Sequence, residues 1–187
     1  GKLPFNPFEP KVPSGRLLEI REYLGNYLPQ AATLVVRNAN FTPIKLRFAV
    51  RFRKGYNEGV YKERLNEELK QYLSPWAYNQ EVEISFGSKI YSNTVINFLE
   101  GRPYVDYITR IKMFQAVPDE YGEPEYIDVR LLQNGENVAV ATMPDEILMS
   151  AMEHEIDVIT TEYYDDEIYR GINYMKVELD FIVEFKT

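Results

Sequence analysis

From Ile44 to Phe52 the chain alternates without a break: Ile44, Leu46, Phe48, Val50 and Phe52 are interleaved with Lys45, Arg47, Ala49 and Arg51. Successive side chains of a strand point to opposite faces, so this period of two predicts a strand with one apolar face against a core and one polar face. A helix would scatter the same residues around its circumference. The apolar face demands a cover, and the next segment supplies one. Asn57 is placed to cap a helix over 58–73, with Tyr61, Leu65, Leu69 and Tyr72 or Leu73 at helical spacing and Glu63, Arg64, Glu67, Glu68 and Lys70 outside. Ser74-Pro75 ends it, because the residue before a proline is pushed out of the helical region.

A second round follows. Val82, Ile84 and Phe86 read as a strand whose Glu81 and Glu83 offer partners to the basic face of the first. A solvated, paired face is therefore preferred to a phosphate-binding stripe. Gly87 marks a bend, Ser92 or Asn93 caps a helix through Val95, Ile96 and Leu99, and Gly101 and Pro103 close it. Val105 to Phe114 returns as a strand with Tyr107, Thr109, Ile111 and Met113 on one side. The fold class is α+β: a small sheet covered on one face by two helices, in the order β-α-β-α-β.

The flanks differ. Residues 1–13 carry Pro4, Pro7, Pro10 and Pro13 with Phe5 and Phe8 between them, an extended arm. The start, without Met, reads as that of a processed piece. Ser14 is placed to cap a helix with Leu17, Leu18, Tyr23, Leu24 and Tyr27 near one face, stopped by Pro29, and Leu34-Val35-Val36 reads as a short strand before turn residues at 38–43. After Pro118 an acidic, turn-rich link leads into a predicted hairpin: Ile127, Val129 and Leu131, then Asn134-Gly135 as a two-residue turn, then Val138 and Val140. Ile156 and Val158 mark a brief strand, and Met175, Val177, Leu179, Phe181, Val183 and Phe185 a long final alternation. The expected organisation is an arm at 1–13, an α+β core at 14–117 and a mostly β subdomain at 118–187.

Chemistry is sparse. With no cysteine the chain lacks a thiolate zinc site, an iron–sulfur cluster and a Cys nucleophile. A net charge of −8 repels nucleic acid and anionic membranes, and no apolar run approaches the roughly 18 residues of a membrane span. The single histidine, His154, lies in Glu153-His154-Glu155 without a second imidazole to complete a metal site, and is expected at a surface or interface. Glu162 with Asp165-Asp166-Glu167 lacks the spacing of a calcium loop and reads as a solvated acidic loop. No phosphate-cradling glycine loop or nucleophile elbow is present, so neither catalytic residues nor a cofactor is expected.

Fifteen tyrosines against one tryptophan suit a protein that buries rings while leaving hydroxyls wet, as interfaces do and as half-buried strand positions also do. The order Phe48-Ala-Val-Arg-Phe-Arg-Lys-Gly-Tyr-Asn57, Tyr61 to Leu69, Tyr72-Leu-Ser-Pro-Trp-Ala77, Ile84-Ser-Phe-Gly87, Ile90-Tyr91-Ser92 and Tyr104-Val-Asp-Tyr-Ile108 resembles the baseplate J family of contractile phage tails and related injection systems. Pro144-Asp145-Glu146 through His154 continues the resemblance more loosely. Members of that family are longer, so the resemblance implies a C-terminal region. It also implies a structural wedge component, made in the bacterial cytoplasm and built into a phage-like particle. Its partners would be other wedge subunits and copies of itself in six-fold array, without nucleic acid or membrane insertion, and it would rearrange when the tail fires. Candidate interface or structural anchors are Tyr72, Pro75, Trp76, Phe86, Tyr91, Tyr104 and Tyr107. Two rivals remain: a carbohydrate- or ligand-binding β-rich module, with rings lining a groove, and a carboxylate-dependent hydrolase, with an acid of strongly raised pKa.

Overall fold

The computed structural model describes residues 6–29, 32–79 and 81–160. The final alternation and the acidic segment Asp165-Asp166-Glu167 lie outside the described residues.

The chain is α+β. The strong alternation forms β1 (Asn40–Phe52), whose Ile44, Leu46, Phe48, Val50 and Phe52 are buried. Strand pairing begins four residues earlier than the alternation, because Asn40 to Ile44 lie parallel to β6 (Glu146–Ser150). α2 (Glu58–Leu73) starts where the cap predicts, with the Asn57 side chain accepting from the Val60 amide. It buries Leu65, Leu69 and Leu73 on the sheet. α3 (Ser92–Glu100) adds Val95, Ile96 and Leu99 beside it. Tyr91, not Ser92 or Asn93, occupies the cap position, since Ser92 is drawn inside as the first helical residue.

β3 (Val105–Pro118) pairs antiparallel with β1, but its inward residues change parity along the way. Ile108 is buried opposite Val50, and Met113 opposite Leu46. An even and an odd position can share a face only across a bulge, and Arg110, at φ 55°, sits in that irregularity. The expected face of Tyr107, Thr109, Ile111 and Met113 is therefore split.

Three further predictions are corrected. Residues 82–86 form no strand. The extended piece is β2 (Lys89–Tyr91), which pairs with β5 (Val138–Val140) in a separate two-stranded sheet, so Glu81 and Glu83 do not face the basic side of β1. The hairpin lies one turn earlier than expected: β4 (Pro124–Asp128) folds back on β3, and Val129–Leu132 continues as α4, a short helix. Asn134 and Gly135, both at positive φ, provide the exit from that helix, with the Gly135 amide closing on the Arg130 carbonyl. Leu34-Val35-Val36 is irregular, without a strand partner.

The main sheet runs β4-β3-β1-β6, and β7 (Glu155–Val158) pairs with β1 beyond the end of β6. Strands on both sides of residues 117 and 118 thus share one sheet, and that position falls inside β3.

Candidate assembly surfaces

α1 (Ser14–Gly25) stands apart from the core. Pro13 holds its cap position in place of Ser14, and not one of its residues is buried. Leu18, Ile20, Tyr23 and Leu24 are exposed, as is Tyr27 just beyond the helix, at 5.3 Å from the Tyr23 ring. A shallow groove runs along it between Val12, Arg16, Ile20 and Leu24. The segment is tethered by Asn38, whose side-chain amide both accepts from the Val12 amide (2.8 Å) and donates to the Val12 carbonyl (3.0 Å).

The Ser-Pro-Trp segment secures the arm. Ser74 ends α2 and is fully buried, with its Oγ accepting from the Ser150 amide at 2.8 Å. Pro75–Ala77 then makes a single 3-10 turn that leaves Trp76 half-buried, its Nε1 donating to the Phe8 carbonyl at 3.3 Å. Phe8 is itself buried, edge-on to Tyr78 at 5.8 Å. Burial beside the Glu67 carboxylate pushes the Tyr78 phenol up to about 12. The proline-rich stretch is thus strapped to the end of α2.

A ladder of rings and guanidiniums runs along α2 and α3, anchored in the core by Tyr104. Tyr56 meets Tyr61 edge-on at 4.8 Å, Tyr61 packs on Tyr104 at 4.8 Å, and the Arg64 guanidinium caps both Tyr61 and Tyr104. Tyr104 is buried and its hydroxyl donates to Glu68 at 2.9 Å, so burial and that carboxylate raise its pKa. Burial opposes ionisation of Glu68, but hydrogen bonds from Arg64 and Tyr104, with the Arg102 charge, hold it below its ordinary value. Further along, Tyr72 stacks on Phe98 at 4.1 Å under Arg102. Of the other anchors, Phe86 and Tyr91 are exposed and Tyr107 is half-buried. The sequence candidates are therefore spread over several surfaces and do not line one groove. A cleft of about 830 Å³ between the arm and the end of the sheet has Phe41 as its only aromatic.

His154 is the main surprise: it is buried. Between the last β1–β6 pair, Ile44↔Ser150, and the first β1–β7 pair, Arg47↔Glu155, β1 has two residues and the other segment four. The excess pulls the backbone away from Leu46, and the His154 Nδ1 accepts the Leu46 amide in its stead at 3.1 Å. Nε2 then carries the proton and donates to the Ser150 Oγ at 3.0 Å, whose own hydroxyl donates to the Ala151 carbonyl at 2.8 Å. Burial, with Lys70 and Lys45 nearby, pushes the imidazole down to about 3. This Ser–His pair has the wrong polarity for catalysis, since a base must receive at the nitrogen facing the hydroxyl. Sequence reasoning missed it because the signal, a two-residue mismatch between paired strands, exists only once they pair.

The acids are committed too. Glu155 bridges Lys45 and Arg47 and is held down to about 2 by hydrogen bonds from Arg47 and Lys45. Lys45 and Arg47 on the basic face of β1 are thus paired with an acid, though one from β7. Burial would raise Glu146, but the Thr42 and Thr142 hydroxyls and the Thr142 and Met143 amides bind it and hold it low. None of these acids is raised, as a general acid would be. Among the described residues no three potential metal ligands gather, and no helix is long and apolar enough to cross a membrane.

The family model for PVC11-like baseplate proteins matches residues 6–121, which takes in the arm, α1, both covering helices and the β1–β3 pair. The chain belongs to the PVC11-like baseplate protein family. As a member it is a structural baseplate component. Among solved structures it is similar to a chain of the six-fold symmetrised cryo-EM structure of the anti-feeding prophage baseplate, at 14% identity and a TM-score of 0.52. That likeness, which shows the fold, covers 79% of this chain and 26% of the other, so this chain spans about a quarter of its relative's length. No curated protein matches the chain.

Proposed function

We propose that this PVC11-like chain is a non-catalytic module of a contractile, phage-like injection machine, akin to the baseplate J wedge proteins, and that α1 is one element by which it joins neighbouring subunits. The observation that carries this is a twelve-residue helix without a buried residue. Isolated helices of about 12–15 residues are marginal in water, and most helical stability comes from packing an apolar face. Each large side chain such as Ile20 or Leu24 gains about 1.5–3 kcal/mol on burial, a reserve that the described fold leaves unused. The solved relative, taken from a symmetric baseplate, supports a setting in which many subunits stand side by side.

The test is Ile20→Glu with Leu24→Glu, followed by purification of assembled particles. Because neither residue packs on the core, the variant keeps its far-UV circular dichroism and unfolding midpoint while dropping out of the particles. Undiminished incorporation refutes the role of α1, and absence of the unaltered chain from particles refutes the baseplate reading itself.

A further inference from the structure

The β1–β3 ladder stops before either strand ends. Its first pair is Ile44↔Gln115, so on that register Pro43 stands opposite Ala116 and Phe41 opposite Pro118. The Asn40 amide and the Ile44 carbonyl bond toward β6, and the Asp119 amide bonds toward β4. By alternation, Phe41, Pro43, Ala116 and Pro118 turn their backbone groups to the space between β1 and β3. Each facing pair contains a proline, which has no N–H to give. The Ala116 carbonyl thus lacks Pro43 as a donor, and the Phe41 carbonyl lacks Pro118. Two strands that cannot bond part here, and the cleft of about 830 Å³ is lined by Phe41 and Thr42 on one side and by Ala116, Val117 and Pro118 on the other.

The cleft is also unbalanced in charge. Glu146 lines it and is buried, and its carboxylate is held in the ionised form by hydroxyls and amides, which are neutral. At the rim Pro118 leads directly into Asp119, Glu120 and Glu123, and Glu125 stands opposite Val117. Among the described residues none of these five acids forms an ion pair. The neighbouring cations are taken: Lys11 by Glu9, Arg37 by Asp145, Lys45 by Glu155, and Arg130 by Asp128, whose carboxylate also feels Lys112.

We propose that this cleft receives an extended, lysine- or arginine-bearing segment of a different baseplate subunit. Backbone N–H groups of that segment bond the Ala116 and Phe41 carbonyls, and its cations face Glu146 and the acidic rim. Extended peptides bind other sheets by adding to free strand edges in the same way. Residues 161–187 of this chain carry seven acids against three cations and suit the site poorly, and a net charge of −8 counts equally against a second copy. The contact deepens the baseplate reading and rests on it. The test places the photo-reactive residue p-benzoylphenylalanine at Met143, an exposed position on the cleft, in the full chain as carried in assembled particles. Illumination joins the chain to a lysine- or arginine-bearing peptide of another subunit, identified by mass spectrometry. Adding Glu123→Lys with Glu125→Lys, both at exposed positions, cuts the yield about tenfold, as reversal of a steering charge does. A cross-link to the chain's own residues or to a second copy overturns the proposal, as does a partner peptide without basic residues or a yield that the reversal leaves unchanged. Particles that contain the chain yet give no cross-link overturn it while leaving the baseplate reading intact, and absence of the unaltered chain from particles overturns both.

Discussion

Lowering the pH from 7 to 5 should cost this protein about 2 kcal/mol of stability through His154 alone. Its imidazole is held down to about 3 in the folded state, whereas in the unfolded chain it titrates near 6.5. The unfolded state therefore binds the proton first, and stability is lost as pH falls below about 6.5, continuing until the folded value is reached near 3. The slope approaches about 1.4 kcal/mol per pH unit, and integrating from pH 7 to 5 gives about 2 kcal/mol. As the chain has one histidine, and as Glu68, Asp128, Glu146 and Glu155 are all shifted downward, those carboxylates contribute mainly below the window. At a typical urea m-value near 2 kcal/mol/M the midpoint moves by about 1 M. Urea unfolding followed by the fluorescence of Trp76 at pH 7, 6 and 5 measures this. His154→Asn places its Oδ1 where Nδ1 accepts from Leu46 and lacks the titrating group. It should lose about 1–2 kcal/mol at pH 7 with the Ser150 contact, yet show almost no further loss by pH 5. The reasoning fails if the variant keeps the full pH dependence, or if the wild-type imidazole titrates near 6.5 in the folded protein by NMR.

Trp76→Phe removes the donor to the Phe8 carbonyl but keeps a ring, so it should cost about 1 kcal/mol and speed proteolysis within residues 6–13 without altering far-UV circular dichroism. Glu146→Ala strips acceptors from the Thr142 and Met143 amides and from two threonine hydroxyls. A loss of about 3 kcal/mol in denaturant unfolding is expected, and a loss below 0.5 kcal/mol would contradict its role as the clasp of β6.

What the sequence determined by itself was local. The alternation of β1, the Asn57 cap and Ser74 end of α2, and the close of α3 at Gly101 all follow from periodicity and from residues that satisfy backbone groups within a turn. The fold class followed from their order, and the baseplate resemblance rested on the same segments. Tertiary structure decided everything that depends on a distant partner. Asn134-Gly135 has the positive φ values of a hairpin turn, but they serve a helix exit because β5 pairs with β2. The Arg110 bulge reverses which residues of β3 face inward, a change invisible to a strict period of two. Trp76 and Phe8, 68 residues apart, meet only in the folded chain. His154, flanked by two glutamates, reads as a surface residue until β6 and β7 line up on β1 and leave the Leu46 amide without a backbone acceptor. A buried donor must find an acceptor, and that requirement, set by strand register, brings the imidazole inside.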